Sequence, residues 1–427
     1  MKKTDIVLIG LMLFALFFGA GNLIFPPYLG MEAGKDFLPA ITGFVITGVS
    51  LPFLAVLAIA LSKDGITSIG SRVHPLFGLG FALLIYLAIG PFFGIPRGAS
   101  VAYEMGVAPF FNGTSAIHLF LFTALFFAIV YVLSLNPSKL VDTVGQFLTP
   151  VLLLAIAALC IVAFFQFDAP AGEPAVKYAD ASFTAGFIEG YLTMDTIAAL
   201  AFGIVVITSL RNKGITNQAQ IVRYTATAGL IAAAGLAIVY VAIGWIGVHM
   251  PGADQFENGA SILTAASAAL FGSFGNMLLG VIVALACLTT CIGLTSACAQ
   301  FFEEKWPKLS YKKYVLLFTL ISLLIANLGL TMIISFSVPV LVMLYPFAIV
   351  LIMLSLLQPL IGQSRPMYIG AVLLTTVYSL HGGAVALGLE TEAFAHWIGW
   401  VPFFESGLGW IVPAAAGALI GRLIKAT

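Results

Sequence analysis

The stretch Phe17-Phe18-Gly19-Ala20-Gly21-Asn22 decides the fold, because it interrupts an apolar run from Ile6 to Leu29 that is long enough to cross a bilayer. Glycine and asparagine are poor helix formers, and an open backbone in lipid leaves its polar groups without partners. Such a break is tolerated where protein buries it or where it lines a cavity for a solute or an ion. Close helix packing at small residues is the alternative interpretation. The prolines at 26 and 27, which suit the first turn of a new helix, favour the break.

The composition places the whole chain in a membrane. Of its 427 residues 61% are hydrophobic and only 8% are charged, and the mean hydropathy is +1.10. A soluble domain is typically about 25% charged. The sequence also lacks a phosphate-binding glycine loop, an HExxH motif and a serine–histidine constellation. We therefore expect a polytopic all-α membrane protein that is not an enzyme, has no organic cofactor, and binds neither nucleic acid nor an obligate protein partner.

Long apolar runs predict twelve membrane spans, each near the ~20 residues that a bilayer requires. The predicted spans are 6–30, 37–61, 76–100, 117–134, 141–165, 184–209, 222–248, 274–302, 314–334, 336–357, 367–389 and 407–424. The boundary between the ninth and tenth spans rests on a short polar turn around Thr331 and Ser335. The run Ala260–Phe271 is too short to span and predicts a small helix on a loop, over the mouth of a cavity.

The distribution of lysine and arginine predicts that both termini are cytoplasmic, because inner loops are enriched in these residues. With that orientation the outer loops hold only Lys35 and Lys177, and Arg97 falls within a span. The inner segments hold fifteen basic residues, namely Lys2, Lys3, Lys63, Arg72, Lys139, Arg211, Lys213, Arg223, Lys305, Lys308, Lys312, Lys313, Arg365, Arg422 and Lys425.

The spans also have a repeat. Five of them occupy residues 6–165 and five more occupy 184–357, and two additional spans follow in 367–424. Because five is odd, the second block enters the membrane in the opposite sense, as in an inverted repeat. The first helix of each block is interrupted, the second one at Glu189-Gly190-Tyr191-Leu192-Thr193-Met194-Asp195. We therefore predict a single transporter domain over 1–427 with breaks in helices 1 and 6.

Two carboxylates accompany the second break. A carboxylate at membrane depth is costly and usually faces a cavity. Asp195 lies deeper in the predicted span than Glu189. Glu189 is equally consistent with a group that faces a cavity and with a solvated charge at the outer interface. Asp195 has two compatible interpretations: a cap of the half-helix that begins at Thr196, or a group in ion or proton coupling.

Further polar side chains lie in the eighth and third spans. Thr289 and Thr290 either bond back to their own helix or present oxygen ligands to a small cation such as Na⁺. Arg97 either pairs with Glu104 or a carboxylate of the sixth span, or extends to the outer interface. The four cysteines lie in apolar runs, where packing is the expected role.

Three of these segments resemble the bacterial branched-chain amino acid:cation symporter family. They are Met1–Ile6 with Leu16–Pro27, the kinked Gly90–Gly98, and Glu189–Asp195. The resemblance covers essentially the whole chain. It implies membership of the wider superfamily of amino-acid and sodium symporters that are built as a five-plus-five inverted repeat.

The resemblance implies a substrate site at the two breaks. Residues Gly19, Ala20, Gly21 and Asn22 match the first break, where the amides of Ala20 and Gly21 would hold the substrate carboxylate. The second break would offer its carbonyls to the substrate ammonium, and Tyr191 and Met194 would wall the side-chain pocket. This second group comprises Gly190, Tyr191, Leu192, Thr193, Met194 and Asp195.

The resemblance also implies a sodium site between the first and eighth helices. Its ligands would be the carbonyls of Ala15 and Phe18 together with Ala286, Thr289 and Thr290. The expected function is the import of leucine, isoleucine or valine with Na⁺ by alternating access across a bacterial plasma membrane. Proton coupling through Asp195 or Glu189 is the alternative, and a channel is a more distant one.

Overall fold

Only helices and loops occur in the part of the chain that the computed structural model describes, which is residues 3–62, 65–111, 115–136, 141–362 and 364–424, with only the backbone at 141–143 and 361. The first nine α-helices are α1 Lys3–Phe17, α2 Ala20–Ala33, α3 Phe37–Val45, α4 Leu51–Leu61, α5 Gly65–Ser71, α6 Pro75–Leu87, α7 Gly94–Gly106, α8 Ala116–Ser134 and α9 Thr149–Gln166. The others are α10 Val176–Ala179, α11 Ser182–Glu189, α12 Asp195–Asn212, α13 Gln218–His249, α14 Gly259–Phe271, α15 Ser273–Lys305, α16 Tyr311–Ala326, α17 Leu330–Ile361, α18 Arg365–Ala386, α19 Glu392–Ile398 and α20 Ile411–Leu423.

Nine helical segments of the described residues are long and apolar enough to cross a membrane. One of them, Ala20–Leu61, changes direction at the 3₁₀ turn Gly34–Asp36, so it joins α2 to the second predicted span. The prediction of twelve spans requires α1, α16 and α20 to cross as well. At 13 residues α20 measures about 20 Å, which is shorter than a typical hydrocarbon core. The count of twelve therefore stays a prediction.

The predicted boundary between the ninth and tenth spans is wrong. Helix α16 ends at Ala326 and α17 begins at Leu330, so the turn lies before Thr331 and not at it. Gly329 has a φ of 88°, which other residues rarely adopt, and this ends the helical path. Asn327 donates to the Leu323 carbonyl at 2.8 Å. The polar residues 331–335 do not end the helix, because hydroxyl side chains such as that of Ser335 bond to carbonyls of their own helix.

Both predicted breaks are present. Helix α1 ends at Phe17, and Gly19 has an extended backbone (φ −127°, ψ −155°) before α2 begins at Ala20. The second helical path ends in the 3₁₀ segment Gly190–Thr193, and Met194 takes the left-handed conformation with a φ of 70° before α12. Each break lies in the protein core, where water cannot satisfy the opened backbone.

Charged residues that share a predicted side of the membrane also meet in the structure. Lys213 pairs with Asp5 at 2.9 Å, and both belong to the predicted inner side. Lys35 pairs with Glu173 on the predicted outer side. Four of the fifteen cations lie outside the described residues, namely Lys2, Lys63, Lys139 and Lys425. The grouping agrees with one membrane plane, and the orientation of the termini stays a prediction.

Close contacts at glycines pack helix α11, which precedes the second break, against helix α3. One of these contacts leads to a prediction about stability. A Cβ on Gly186 would lie 1.9 Å from the carbonyl oxygen of Ala40, which joins α11 to α3. We expect Gly186→Ala to destabilise the protein by about 1–3 kcal/mol, because a backbone atom cannot move aside. The matched control is Gly80→Ala, since a Cβ at Gly80 meets no atom within 4 Å. Thermal unfolding of the detergent-solubilised variants is the measurement; equal midpoints would contradict the packing.

Candidate substrate and cation site

A cavity lies between the two breaks and is closed on one side by α7 and α15. Its walls combine open backbone, two charged side chains and an apolar surface. It is lined by Leu16, Phe17, Gly19, Ala20, Gly21, Asn22, Ile89, Gly94, Arg97, Gly98, Thr193, Met194, Asp195, Ala198, Cys287, Thr290 and Leu294. Seven of the ten predicted substrate residues therefore meet in one place.

The first break presents the start of helix α2 to this cavity. The first amides of a helix have no partner within it and carry the positive end of the helix dipole. The Gly19 amide donates to Oδ1 of Asn22 at 3.0 Å, which holds the backbone open. A Cβ on Gly21 would lie 2.9 Å from Nη2 of Arg97 and 3.1 Å from Cα of Thr193. The two breaks therefore touch at Gly21, where no larger residue fits without displacement.

Asp195 joins both breaks and a third helix. It is 3% exposed, and its Oδ2 accepts hydrogen bonds from Nδ2 of Asn22 at 2.6 Å and from the Tyr240 hydroxyl at 2.8 Å. Asn22 also donates to the Tyr240 hydroxyl. The prediction that Asp195 caps the half-helix is wrong: Met194 is the N-cap, and the Asp195 side chain points to Asn22 and Tyr240 instead. Its position in the first turn of α12 still favours a negative charge.

Arg97 lies in the protein interior. It is 5% exposed, so the predicted extension to the outer interface is wrong. Its Nη1 donates to the Leu192 carbonyl at 2.9 Å and its Nη2 to the Thr193 carbonyl at 3.0 Å. Among the five ion pairs found in the described residues none involves Arg97, so the predicted pairing with Glu104 is absent there. Arg97 and Asp195 both line the cavity.

Four oxygen atoms gather beside the first break. Oγ1 of Thr289 lies 2.9 Å from the Ala15 carbonyl oxygen and 3.0 Å from that of Ala286, and Oγ1 of Thr290 lies 3.3 Å from the Ala15 oxygen. A Cβ on Gly19 would lie 2.8 Å from the Thr290 hydroxyl, so the adjoining Phe18 peptide is close as well. The structure thus brings the predicted sodium ligands of α1 and α15 together, all of them neutral oxygens.

Three predicted substrate residues, Gly190, Tyr191 and Leu192, are not among the described residues that line the cavity. Tyr191 stacks on the ring of Tyr345 with 4.5 Å between centroids. The Leu192 carbonyl accepts the hydrogen bond from Arg97, and a Cβ on Gly190 would collide with the Thr47 hydroxyl. These three residues contact other helices and stabilise the second break without lining the cavity.

Glu189 belongs to a separate outer cluster. It forms an ion pair with Lys177, whose ammonium also lies 3.0 Å from Glu32 at the end of α2. Burial acts to lower the pKa of the Lys177 ammonium, but Glu189 and Glu32 outweigh it and raise that pKa. Lys177 therefore stays protonated at neutral pH and ties α2 to α11. The solvated-charge interpretation of Glu189 gives way to this pairing.

Sequence reasoning did not find Tyr240, nor the apolar half of the cavity. Tyr240 is fully buried in the middle of the 32-residue helix α13, where a hydroxyl requires a partner. That burial requirement was the available signal, but the partner, Asp195, is 45 positions away along the chain. The apolar walls come from α1, the turn after α6, α12 and α15, whose convergence no local pattern reports.

In the part of the chain that the structure describes, two interrupted helices enclose a cavity among long apolar helices, and this arrangement defines the class: a membrane protein with the five-plus-five inverted-repeat transporter fold. The structure is similar to that of Mhp1, a nucleobase-cation-symport-1 family transporter in a closed conformation with bromovinylhydantoin bound. The TM-score is 0.63 at 14% identity over 98% of this chain and 91% of the other. It is also similar to MhsT in complex with L-phenylalanine, with a TM-score of 0.56 at 14% identity over 97% of each chain.

The family described as "Branched-chain amino acid transport protein" matches residues 2–427. The branched-chain amino acid permease BrnQ of Bacillus subtilis (strain 168) is 45% identical over 428 residues, which cover 99% of this chain and 97% of the permease. This chain belongs to the family of branched-chain amino acid transport proteins. It is accordingly a multi-pass membrane transporter of amino acids and not an enzyme.

Proposed function

We propose that the chain imports leucine, isoleucine and valine together with Na⁺ by alternating access across a bacterial plasma membrane, with both termini cytoplasmic. The observation that carries the coupling ion is the cluster formed by Thr289 and Thr290 with the carbonyl of Ala15. It lies against the first break, so an ion held there stabilises the arrangement of α1 and α15 that encloses the cavity.

The donor set fits a small monovalent cation. Carbonyl and hydroxyl oxygens are ligands for hard cations, and the unwound carbonyls of broken helices coordinate coupling ions in transporters of this kind. Ala286 and Thr289 contribute oxygens from α15, while Ala15 belongs to α1 and Phe18 directly follows it. Because the ligands come from two helices, binding is complete only when these helices are close. This makes the ion a link between site closure and transport.

The apolar walls account for substrate choice. Leu16, Phe17, Ile89 and Leu294 also line the cavity, and their side chains offer no hydrogen bond to a substrate side chain. An apolar pocket separates side chains that differ by one methylene by only roughly 1–3 kcal/mol. We therefore expect overlapping affinities for leucine, isoleucine and valine, and rejection of aspartate and lysine, whose side-chain charges have no partner on that wall.

Uptake of labelled leucine into proteoliposomes tests the proposal. An inward Na⁺ gradient is imposed while an ionophore collapses the proton gradient, and the reverse arrangement serves as the control. We expect accumulation that requires Na⁺, with isoleucine and valine as competitors of similar potency. Accumulation driven only by the proton gradient would transfer the coupling role to Asp195. Absence of leucine uptake under either gradient would overturn the substrate assignment.

A further inference from the structure

Arg97 is a basic and Asp195 an acidic residue; both are almost fully buried, and both line the same cavity. No ion pair within 4 Å joins them in the described part of the chain, since the five pairs found there involve other residues. Two buried charges of opposite sign gain most by direct contact. Both side chains therefore line one cavity without forming an ion pair with each other, an arrangement that suits a ligand with both charges.

The hydrogen bonds of each residue fix its position and leave one side open. Nη1 and Nη2 of Arg97 are held by the carbonyls of Leu192 and Thr193, but its buried Nε has no partner among the described residues. A buried donor without a partner is uncommon and unfavourable. Asp195 receives both of its donors at Oδ2.

The backbone carbonyls of the second break are already engaged. Those of Leu192 and Thr193 accept from Arg97, and those of Gly190 and Tyr191 accept from Thr193 and Met194. The Asp195 carboxylate, which accepts charge-assisted hydrogen bonds, is therefore the stronger acceptor that the second break offers to a substrate ammonium. At the other end, the guanidinium of Arg97 lies beside Gly21, where the first amides of α2 are available to an anion.

We propose that Arg97 and Asp195 recognise the two charged ends of the substrate: Arg97, with the first amides of α2, binds the α-carboxylate, and Asp195 binds the α-ammonium. The inference rests on the proposed transport of branched-chain amino acids and specifies how that site selects zwitterions. It makes Arg97 and Asp195 specificity-determining residues, while Tyr240 and Asn22 position the carboxylate of Asp195.

The test is competition against labelled leucine by two analogues that each lack one charge. Leucinamide lacks the carboxylate, and 4-methyl-2-hydroxypentanoate lacks the ammonium. For each variant, the quantity measured is the inhibition constant of an analogue divided by that of leucine. Such a ratio is independent of expression level. For variants with low uptake, binding is measured instead on purified protein. The quantity is then the shift of the thermal unfolding midpoint that leucine and each analogue produce.

We expect opposite changes in the two single variants. Asp195→Asn lowers the ratio for the hydroxy acid at least ten-fold and leaves the ratio for leucinamide within about two-fold. Arg97→Gln lowers the ratio for leucinamide at least ten-fold and leaves the ratio for the hydroxy acid within about two-fold. Tyr314→Phe is the control, because it removes a hydrogen bond from another buried tyrosine, to the Trp306 carbonyl at 2.9 Å, apart from the residues that line the cavity. It leaves both ratios within about two-fold. Equal changes of both ratios in each single variant would overturn the inference.

The double variant Arg97→Gln with Asp195→Asn separates recognition from structural compensation. If the two charges only neutralise one another, removing both restores leucine binding above that of either single variant. We expect it to bind leucine more weakly than both, because each end of the zwitterion has lost its partner. Leucine uptake by the wild type distinguishes the two proposals. If the wild type takes up leucine but the ratios are unchanged in the variants, only this recognition scheme is refuted. If the wild type takes up no leucine, the proposed function is refuted.

Discussion

Replacing Thr289 with alanine is expected to raise the Na⁺ concentration for half-maximal leucine uptake about 10- to 100-fold. The Thr289 hydroxyl is fully buried and lies within 3.0 Å of two carbonyl oxygens, those of Ala15 and Ala286. A polar partner of a charged group contributes roughly 1.5–3 kcal/mol, and 1.4 kcal/mol corresponds to a factor of ten. The measurement is leucine uptake into proteoliposomes as a function of external Na⁺.

Two further variants separate this effect from a loss of helix packing. Thr289→Ser keeps the hydroxyl and is expected to stay within about three-fold of the wild type. Thr319→Ala removes another buried threonine, whose hydroxyl donates to the Val315 carbonyl of its own helix α16 at 2.6 Å. We expect Thr319→Ala to leave the Na⁺ dependence unchanged. An unaltered Na⁺ response in Thr289→Ala would refute the cation site between α1 and α15.

Asn22→Ala is expected to reduce the rate of leucine uptake about 10- to 100-fold and to destabilise the protein. Its side chain accepts from the Gly19 amide at 3.0 Å and donates to Asp195 at 2.6 Å and to the Tyr240 hydroxyl. Each hydrogen bond to a charged group is worth roughly 1.5–3 kcal/mol, and the loss leaves buried polar groups without partners. Uptake and thermal unfolding are measured on the same preparation.

The matched control for this variant is Asn327→Ala. Asn327 is partly buried and also joins two helices, since its amide donates to the Thr123 hydroxyl at 3.1 Å and to the Leu323 carbonyl. It lies at the turn between α16 and α17, apart from the residues that line the cavity. We expect Asn327→Ala to lower the unfolding midpoint while the leucine concentration for half-maximal uptake stays unchanged. Equal loss of uptake in both variants would show that Asn22 acts through stability alone.

The positions of the two breaks follow from local chemistry, and this is why they were predictable. Glycines, an asparagine and a proline pair inside an apolar run mark the first break, and Gly190 with two carboxylates marks the second. Hydrogen bonds within helices form between near neighbours, so residue types that weaken a helix report their effect where they stand. The same reasoning failed at Thr331, where hydroxyls bond to their own helix without ending it.

The distant partners were not predictable in this way. The sequence shows Arg97 as a charge inside a span, but its carbonyl partners lie 95 and 96 positions further along the chain. Asn22 meets Tyr240 across 218 positions. Nothing in the hydropathy of either segment encodes such a pairing. It depends on how α2, α7, α12 and α13 are placed around one cavity.

The sequence by itself therefore determined three things: that the chain is helical and membrane-embedded, where the first helix of each block is interrupted, and which family the chain resembles. These properties depend on hydropathy and on residues that are neighbours in the chain. Only the tertiary structure decided that Asp195 bonds to Asn22 and Tyr240 instead of capping its helix, and that Arg97 holds the second break from within. The physical reason is that a buried charge takes its partners from whichever helices packing brings near it, and packing is a property of the whole fold.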